Sequence, residues 1–202
     1  MAFDDGFVDF GSDTVTRPTV EMRKAMADAV VGDDVFRGDP TVSRLQEEAA
    51  AVLGFEAALF VPSGVMANQL TVMAQTRPGD EVICDPLAHL RNIERGASSA
   101  LSGIAYRPVD SDAGFITPEH IDGVMELAGR FHPRVRLVCW ENTHNFSGGR
   151  VVPVDVMRAG FAAADGHGLA IHVDGARLFN AAIALGVEGA NIVAGADTVS
   201  FC

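Results

Sequence analysis

The stretch LAIHVDGARLFN, residues 169–180, brings imidazole, carboxylate and guanidinium groups close together. Because successive side chains of a strand point to opposite faces, we expect His172 and Asp174 on one face and Val173 on the other. Asp174 then ends the strand, and Arg177 lies on the first turn of the next helix. In one interpretation Asp174 only caps that helix and Arg177 is a surface charge. In the other, the two residues bind a ligand that carries a heteroaromatic cation and a carboxylate.

Two further segments place polar side chains directly after predicted strands, where ligands gather in α/β folds. His89 follows the strand in DEVICD, residues 80–85, and a lone histidine there suits either a structural or a catalytic role. In CWENTHNFSGG, residues 139–149, five consecutive polar residues follow a strand, which is denser than a loop requires: Glu141, Asn142, Thr143, His144 and Asn145. This density favours a functional site.

The segment FVPSGVMANQ, residues 60–69, places Ser63 and Gly64 between an extended run and a helix. A helix N-terminus offers N–H groups and the positive end of a dipole, which suits a phosphate. The alternative is that Ser63 is only an N-cap. The sequence has neither GxGxxG nor a P-loop lysine, so dinucleotide and triphosphate sites are not indicated. Without HxH, HExxH or CxxC spacing, no metal site is predicted.

These residues need a scaffold, and the alternation of short β-rich runs with helical segments indicates its class. Helical segments separate six predicted strands, which span residues 57–61, 80–85, 104–109, 135–141, 169–174 and 198–202. Such alternation predicts an α/β fold with a mostly parallel sheet and helices on both faces. Thr117 and Pro118 open one helix as N-cap and N1, and we expect one continuous helix over 90–101. Residues 1–54 differ and predict an N-terminal arm with two helices, laid against an α/β large domain over 55–202.

Composition narrows the possible partners and compartments. The net charge is -12, so nucleic acid and anionic membranes are poor partners. No apolar run approaches the roughly 20 residues of a membrane span, and the acidic start lacks signal-peptide features. The three cysteines, Cys84, Cys139 and Cys202, are predicted to be buried strand thiols in a reducing environment. Together these features predict a soluble cytoplasmic protein.

Eight segments, in order along nearly the whole chain, resemble the threonine aldolases, within the β-eliminating lyase group of fold-type-I pyridoxal 5'-phosphate (PLP) enzymes. They are SDTVTRP (12–18), VGDDVFRGDPTV (31–42), FVPSGVMANQ (60–69), AH (88–89), LSG (101–103), ENTHNFSGG (141–149), HVDGARLFNA (172–181) and DTVSFC (197–202). The resemblance implies an aspartate-aminotransferase-like large domain. It also implies a homodimer or homotetramer that acts on a small amino-acid substrate.

The resemblance also implies a role for each candidate residue. Asp174 would pair with the ring nitrogen of PLP, a cofactor that serves as an electron sink, and His89 would stack on its ring. Ser63, Gly64 and the backbone that continues through Val65 would bind the phosphate. Ser12 and Arg177 would lie near the substrate carboxylate, with Arg177 also close to the ring oxygen.

The implied reaction is cleavage of β-hydroxy-α-amino acids, with threonine and allo-threonine giving glycine and acetaldehyde. His89 and His144 both remain candidates for the base, because imidazole titrates near neutral pH. A catalytically inactive, truncated homologue that binds PLP or pairs subunits is an alternative, and so is a related PLP-dependent β-eliminating amino-acid lyase.

Four positions depart from the family pattern. Val65 replaces a usual threonine, which predicts weaker phosphate binding, and Gly11 replaces a common arginine. Phe36 stands where tyrosine is frequent and Arg37 also departs, which predicts a shift in substrate preference.

The largest departure concerns the lysine that anchors the cofactor as a Schiff base. In the family it follows the DTVSFC-type strand within a few residues, whereas the only lysine here is Lys24, in an N-terminal helix. We therefore expect this chain to be the N-terminal portion of a longer enzyme, with the C-terminal small domain absent. Residues 1–202 alone are predicted to be inactive.

Overall fold

The computed structural model describes residues 9–36, 38–128 and 132–202, and residues 1–46 and 47–202 form two compact units. In the first unit a 3₁₀ helix, Asp13–Val15, precedes helix α1, Val20–Ala27. Helix α2, Pro40–Leu53, begins where the sequence predicts it and continues into the second unit. The Asp39 carboxylate accepts hydrogen bonds from the amides of Thr41 and Val42, as an N-cap does. Arg37 lies outside the described residues, and the predicted division at 54/55 stays a prediction.

The described residues of the second unit are built on one sheet of five parallel strands. They are β1 Glu81–Cys84, β2 Ala105–Pro108, β3 Val135–Glu141, β4 Ala170–Gly175 and β5 Thr198–Phe201, in the order β2-β1-β3-β4-β5. The register sets Glu141, Asp174 and Ser200 side by side on neighbouring strands, at or near their C-terminal ends. The strand order reverses between β1 and β3, and ligands of open α/β sheets bind outside the strand ends at such a point.

Helices cover both faces of the sheet, as predicted. Those of the second unit, after α2, are α3 Gly64–Gln75, α4 His89–Asn92, α5 Ala97–Ser102, α6 Pro118–Leu127, α7 Val154–Gly166, α8 Leu178–Leu185 and α9 Gly189–Val193. Because strand side chains alternate, Ile83 and Val138 join the larger apolar cluster, which includes residues of α6 to α9. Their neighbours Val82 and Leu137 join a smaller cluster with Val72 of α3 and Leu90 of α4. The fold class is confirmed.

Three local predictions are wrong. Residues 57–61 form no strand, since none of the described strands pairs with them, and Leu59 is 71% exposed. The predicted helix over 90–101 is broken because Arg95 and Gly96 adopt positive φ values, which end α4 and start α5 anew. Cys202 is exposed rather than buried, because it follows the last residue of β5, while Cys84 and Cys139 are buried as predicted.

The helix-start predictions are confirmed. Thr117 forms a capping box with His120, Pro118 opens α6, and Ser63 caps α3. Within the parts of the chain that are described, no helix has the length and apolarity to cross a membrane.

Candidate active site

Asp174 is the centre of a buried polar cluster at the C-terminal end of β4. Its side chain is held from two sides: Oδ2 accepts a hydrogen bond of 2.7 Å from the Asn68 amide, and Oδ1 accepts one of 3.2 Å from the Ala176 backbone. Asp174 is only 4% exposed. Asn68 comes from α3, so this contact joins the helix to the strand tip. The carboxylate is fixed in orientation, as the site of a ring-nitrogen partner requires.

Asn68 links Asp174 to a second buried carboxylate, that of Glu94. The same Asn68 Nδ2 donates to Glu94 Oε1 at 2.8 Å, and Gln69 Nε2 donates to Glu94 Oε2 at 2.5 Å. Ser98 Oγ in turn donates to Gln69 Oε1 at 3.0 Å. One face of the first turns of α3 therefore supplies N–H donors to two acids that would otherwise repel each other.

His172 lies on the same face of β4 as Asp174, as the alternation predicts. Its Nε2 is 3.1 Å from Asn68 Oδ1, and its Nδ1 is 3.0 Å from Thr198 Oγ1. Ser200 Oγ also donates to Asn68 Oδ1, at 2.6 Å. Burial lowers the pKa of His172 to about 4, because the charged form has no access to water. His172 is therefore neutral near neutral pH.

His89 begins α4 beside this cluster. Its ring Nδ1 is 3.0 Å from Glu94 Oε1, and its backbone N–H donates to Glu141 Oε2 at 2.7 Å. The hydrogen bond to Glu94 raises the pKa of His89, outweighing the opposite effect of burial. The His89 side chain keeps 30% of its surface exposed, so its ring is partly accessible to solvent.

Glu141 links the start of α4 to the loop that follows β3. Its second oxygen accepts the Asn145 backbone N–H at 2.9 Å, while the first holds His89. Burial raises the pKa of Glu141, and the negative charge of Asp174 adds to the effect. Glu94, Glu141 and Asp174 thus make the buried floor of the site acidic, which suits a cationic ring nitrogen.

His144 is placed differently from His89. It is fully buried, with Nδ1 2.8 Å from Ser147 Oγ and Nε2 3.3 Å from Asp85 Oδ1, at ion-pair rather than hydrogen-bond geometry. Burial alone would lower the pKa of His144, but the Asp85 carboxylate outweighs burial and raises it. The polar contacts of its ring lead to Asp85 and Ser147 and not to Asp174, Glu94 or His89. The structure does not bring His144 into the Asp174 cluster.

The N-terminus of α3 is the candidate phosphate site. Ser63 Oγ accepts from the Met66 amide at 3.1 Å, so its side chain is an N-cap, as the structural interpretation proposes. The first intrahelical bond is from Ala67, which leaves the Gly64 and Val65 amides outside the helix's own hydrogen bonds. A Cβ on Gly64 would lie 3.6 Å from Cys202 Sγ, so the end of β5 is next to this helix start.

Arg177 and Ser12 complete the predicted set. Arg177 is half-buried and occupies the N-cap position of α8, three residues after Asp174. Ser12 belongs to the first compact unit, where its hydroxyl accepts from the Thr14 amide and caps the 3₁₀ helix. The substrate-binding role of both residues stays a prediction.

A metal ion is one alternative occupant of the cluster. Ligand atoms of His89, Glu94 and Asp174 lie within 4.8 Å of one another. The Asn68 amide, however, already donates to both carboxylates, and His89 already pairs with Glu94. The atoms that would bind a metal ion already take part in hydrogen bonds within the protein. The geometry therefore favours an organic cation above Asp174 over a metal ion between the acids.

Sequence reasoning missed the residues that support Asp174 and His89. Asn68 and Gln69 lie one turn after the helix start in FVPSGVMANQ, and Glu94 lies five residues after His89. Two side-chain amides on the first turns of a helix that is proposed to bind a ligand are a sequence signal for residues that support the site. Asp85, the last residue of the predicted strand 80–85, is another.

Comparison with known proteins agrees with this architecture. The family model described as Beta-eliminating lyase matches residues 9–202, and the chain belongs to that family. The Low-specificity L-threonine aldolase 1 of Arabidopsis thaliana is 45% identical over 199 residues, which cover 96% of this chain and 56% of that one. The Low specificity L-threonine aldolase of Escherichia coli (strain K12) is 38% identical over 201 residues, covering 96% and 58%.

Solved structures support the same fold. A threonine aldolase from Leishmania major superposes with a TM-score of 0.73 at 22% identity, covering 88% of this chain and 53% of that one. The aspartate-aminotransferase-like fold predicted from sequence is confirmed. The chain spans about half the length of the curated relatives it matches.

Proposed function

We propose that the intact protein is a PLP-dependent aldolase that cleaves β-hydroxy-α-amino acids, with threonine and allo-threonine giving glycine and acetaldehyde. The observation that carries the proposal is the buried Asp174 carboxylate, held by Asn68 at a strand end in a chain of the β-eliminating lyase family. The relatives named L-threonine aldolases, at 38% and 45% identity, support this substrate class.

The residues present fit both ends of PLP, namely its ring nitrogen and its phosphate. Asp174 would face the ring nitrogen, and the acidic floor of the site favours its protonated form. The Gly64 and Val65 amides would meet the phosphate at the start of α3. When bound, the cofactor supplies an electron sink for the bond that breaks at Cα. Ser12 and Arg177 are proposed to orient the substrate carboxylate, which determines which bond that is.

Of the two candidate bases, the geometry favours His89. Its side chain is partly exposed and Glu94 orients the ring through Nδ1, so Nε2 is available to take the hydroxyl proton of the substrate. Both ring nitrogens of His144 face protein groups in the interior. We therefore assign proton removal to His89 and a structural role to His144.

An aldehyde-release assay on the intact protein tests the proposed function. With PLP added, threonine, allo-threonine and phenylserine are each expected to yield glycine and the matching aldehyde. No aldehyde from any of them contradicts the aldolase proposal. Pyruvate and ammonia from serine, without aldehyde from the other substrates, would instead support the β-eliminating lyase. PLP binding without turnover of any substrate would support the non-catalytic module.

Two further properties are part of the proposal. By analogy with its family, the protein is proposed to form a homodimer or homotetramer, which light scattering on the eluting peak measures. A cytoplasmic location is proposed as well.

The single lysine, Lys24, pairs with Asp28 at 2.5 Å on α1, and the inactivity of residues 1–202 alone stays a prediction. Adding PLP and threonine to that polypeptide tests it, since turnover by it would contradict the prediction.

Replacing Glu94 by glutamine is expected to shift the pH profile of kcat/KM. A base must be neutral to act, so activity rises with pH through the pKa of His89. Glu94 raises that pKa, and Glu94→Gln therefore lowers it and moves the ascending limb to lower pH. Aldehyde release measured across pH gives the limb. Glu188→Gln, at an exposed glutamate before α9, is the control. An unmoved limb in Glu94→Gln would remove His89 as the base.

Replacing Val65 by threonine is expected to tighten PLP binding. Val65 is 41% exposed on the first turn of α3, so the change costs little packing and adds a hydroxyl beside the proposed phosphate site. One hydrogen bond to a charged group corresponds to roughly a tenfold lower Kd. Fluorescence titration with PLP measures the change, and Val65→Ala, which adds no hydroxyl, is the control. Equal affinities in the two variants would place the phosphate elsewhere.

A further inference from the structure

A hydrogen-bonded chain runs from α3 through β5 and β4 and ends on Asp174. Gln75 Nε2 donates to Thr198 Oγ1 at 2.7 Å, and Thr198 Oγ1 is 3.0 Å from His172 Nδ1. His172 Nε2 is 3.1 Å from Asn68 Oδ1, and Asn68 Nδ2 reaches Asp174 Oδ2 at 2.7 Å. The chain leaves α3 at Gln75 and returns to it at Asn68 before it reaches Asp174, so it fixes that helix against the two strands.

The direction of every hydrogen bond in this chain follows from what each group can donate. The carboxylates of Asp174 and Glu94 only accept, so the NH₂ of Asn68 faces them and its carbonyl oxygen faces His172. That oxygen also only accepts, so His172 carries its hydrogen on Nε2. In the neutral ring Nδ1 is then an acceptor, and the Thr198 hydroxyl donates to it.

We propose that Asn68 and His172 are positioning residues, which hold the Asp174 carboxylate toward the ring nitrogen of the cofactor, and that the Thr198 hydroxyl stabilises the tautomer of His172 that makes this possible. The inference rests on the proposed function. The low pKa of His172 agrees with it, because a neutral ring is needed for Nδ1 to accept.

The same residues also set the spacing between the two ends of the cofactor site. Asn68 lies four residues after Gly64, which is about one helical turn, or ~6 Å along the axis. The helix that offers its N-terminus to the phosphate therefore carries the amide that orients Asp174. A loss of Asn68 removes the direct hydrogen bond between these two parts of the site.

The Thr198 hydroxyl provides the sharpest test, because it touches neither Asp174 nor the cofactor site directly. Thr198→Val removes the donor to Nδ1 at nearly constant shape. The Nδ1 lone pair then has no donor, which weakens the preference for the Nε2–H form. Where the ring instead carries its hydrogen on Nδ1, Nε2 presents a lone pair to Asn68 Oδ1, and the Asn68 amide must rotate to donate to it. Rotation would place an oxygen against the Asp174 carboxylate.

The experiment combines two measurements on the intact protein. Nitrogen-15 NMR of labelled histidine, without PLP, is expected to show the neutral Nε2–H form of His172 in the wild type and in Thr198→Ser. Thr198→Val is expected to show a mixture with the Nδ1–H form. Fluorescence titration with PLP is expected to give a Kd about tenfold higher for Thr198→Val and for Asn68→Ala, and near the wild-type value for Thr198→Ser. Thr76→Val is the matched control, because the Thr76 hydroxyl bonds to Val72 O outside the chain.

Each outcome decides a separate point. A charged His172, or an Nδ1–H form in the wild type, overturns the proposed chain whether or not PLP binds. The expected tautomers together with an unchanged Kd in Thr198→Val and Asn68→Ala overturn the positioning role. A wild-type protein that binds no PLP contradicts the proposed function, while the tautomer result still tests the chain.

Discussion

Asp174→Asn is expected to reduce kcat/KM for threonine by about 10²- to 10³-fold, the range found when one preorganised electrostatic group is removed from an active site. The amide keeps the size of the carboxylate, and its oxygen can still accept the shorter hydrogen bond from Asn68, while its NH₂ group replaces the oxygen that accepts at 3.2 Å from the Ala176 backbone. What it loses is the negative charge that favours a protonated ring nitrogen. The variant should therefore fold and still bind PLP, while the electron sink is weakened.

Aldehyde release at saturating PLP measures the Asp174→Asn effect, with circular dichroism to confirm folding. Asp197→Asn is the matched control, because its Oδ2 accepts the Ile171 amide at 2.8 Å near the opposite end of β4. That control is expected to lower stability and to keep kcat within about threefold of wild type. If Asp174→Asn keeps more than a tenth of the wild-type kcat/KM, Asp174 is not the ring-nitrogen partner.

The fold was predictable because the periodic pattern of the second unit is strong. Five of six predicted strands form, and the order of elements alone indicates a parallel sheet. The remaining predicted strand, residues 57–61, does not form because a strand requires a partner strand. A local apolar pattern does not show whether such a partner is available. The break between α4 and α5 was missed because Arg95 takes a positive φ, which its residue type does not signal.

The candidate site was predictable only where one segment carries the information. His172 and Asp174 share a face because they are two residues apart on a strand. Asn68 and Asp174 are 106 residues apart, and only the packing of α3 on the sheet brings them into contact. Likewise, His89 and His144 both follow strands, and nothing in their local sequence shows that only one ring remains accessible.

Gly114 shows why His144 is buried. It has a φ of +87°, and a Cβ at this position would lie 2.7 Å from His144 Cδ2. Only a glycine lets the backbone approach the ring so closely while adopting this conformation. The Gly114 amide also donates to Asp85 Oδ2 at 3.3 Å, so the same loop covers the imidazole and the carboxylate beside it.

His144→Asn is expected to lower the free energy of unfolding by about 3 kcal/mol near pH 5.5, because removing one partner leaves the Asp85 carboxylate buried without its cation. His144 is fully buried and Asp85 is 4% exposed, so solvent screening is weak. Ser111 also donates to Asp85, and the Leu87 amide donates to it at 2.7 Å. These donors hold the carboxylate in place in the variant, which prevents it from turning toward water.

The effect should depend on pH in a defined direction. The folded pKa of His144 is raised, so its contribution is complete below the unfolded value of about 6.5 and is lost as the pH rises through the folded value. Burial tends to raise the pKa of Asp85, but the ion-pair contact with His144 and the hydrogen bond from Ser111 lower it overall. Its contribution is therefore present above about pH 4 and is lost as the pH falls through the folded value. Both contributions are complete only between about pH 4 and 6.5.

Urea unfolding of the wild type, His144→Asn, Asp85→Asn and the double variant, at about pH 5.5 and pH 8.5, measures the interaction as a double-mutant cycle. The coupling is expected to be larger at the lower pH, because His144 is charged there. His167→Asn is the control, since its pair with Asp122, at 2.7 Å, is 34% and 55% exposed and should change stability by less than about 1 kcal/mol. A coupling that is equal at both pH values would mean that His144 is neutral in the folded protein. The Asp85 contact would then stabilise the loop through packing rather than charge.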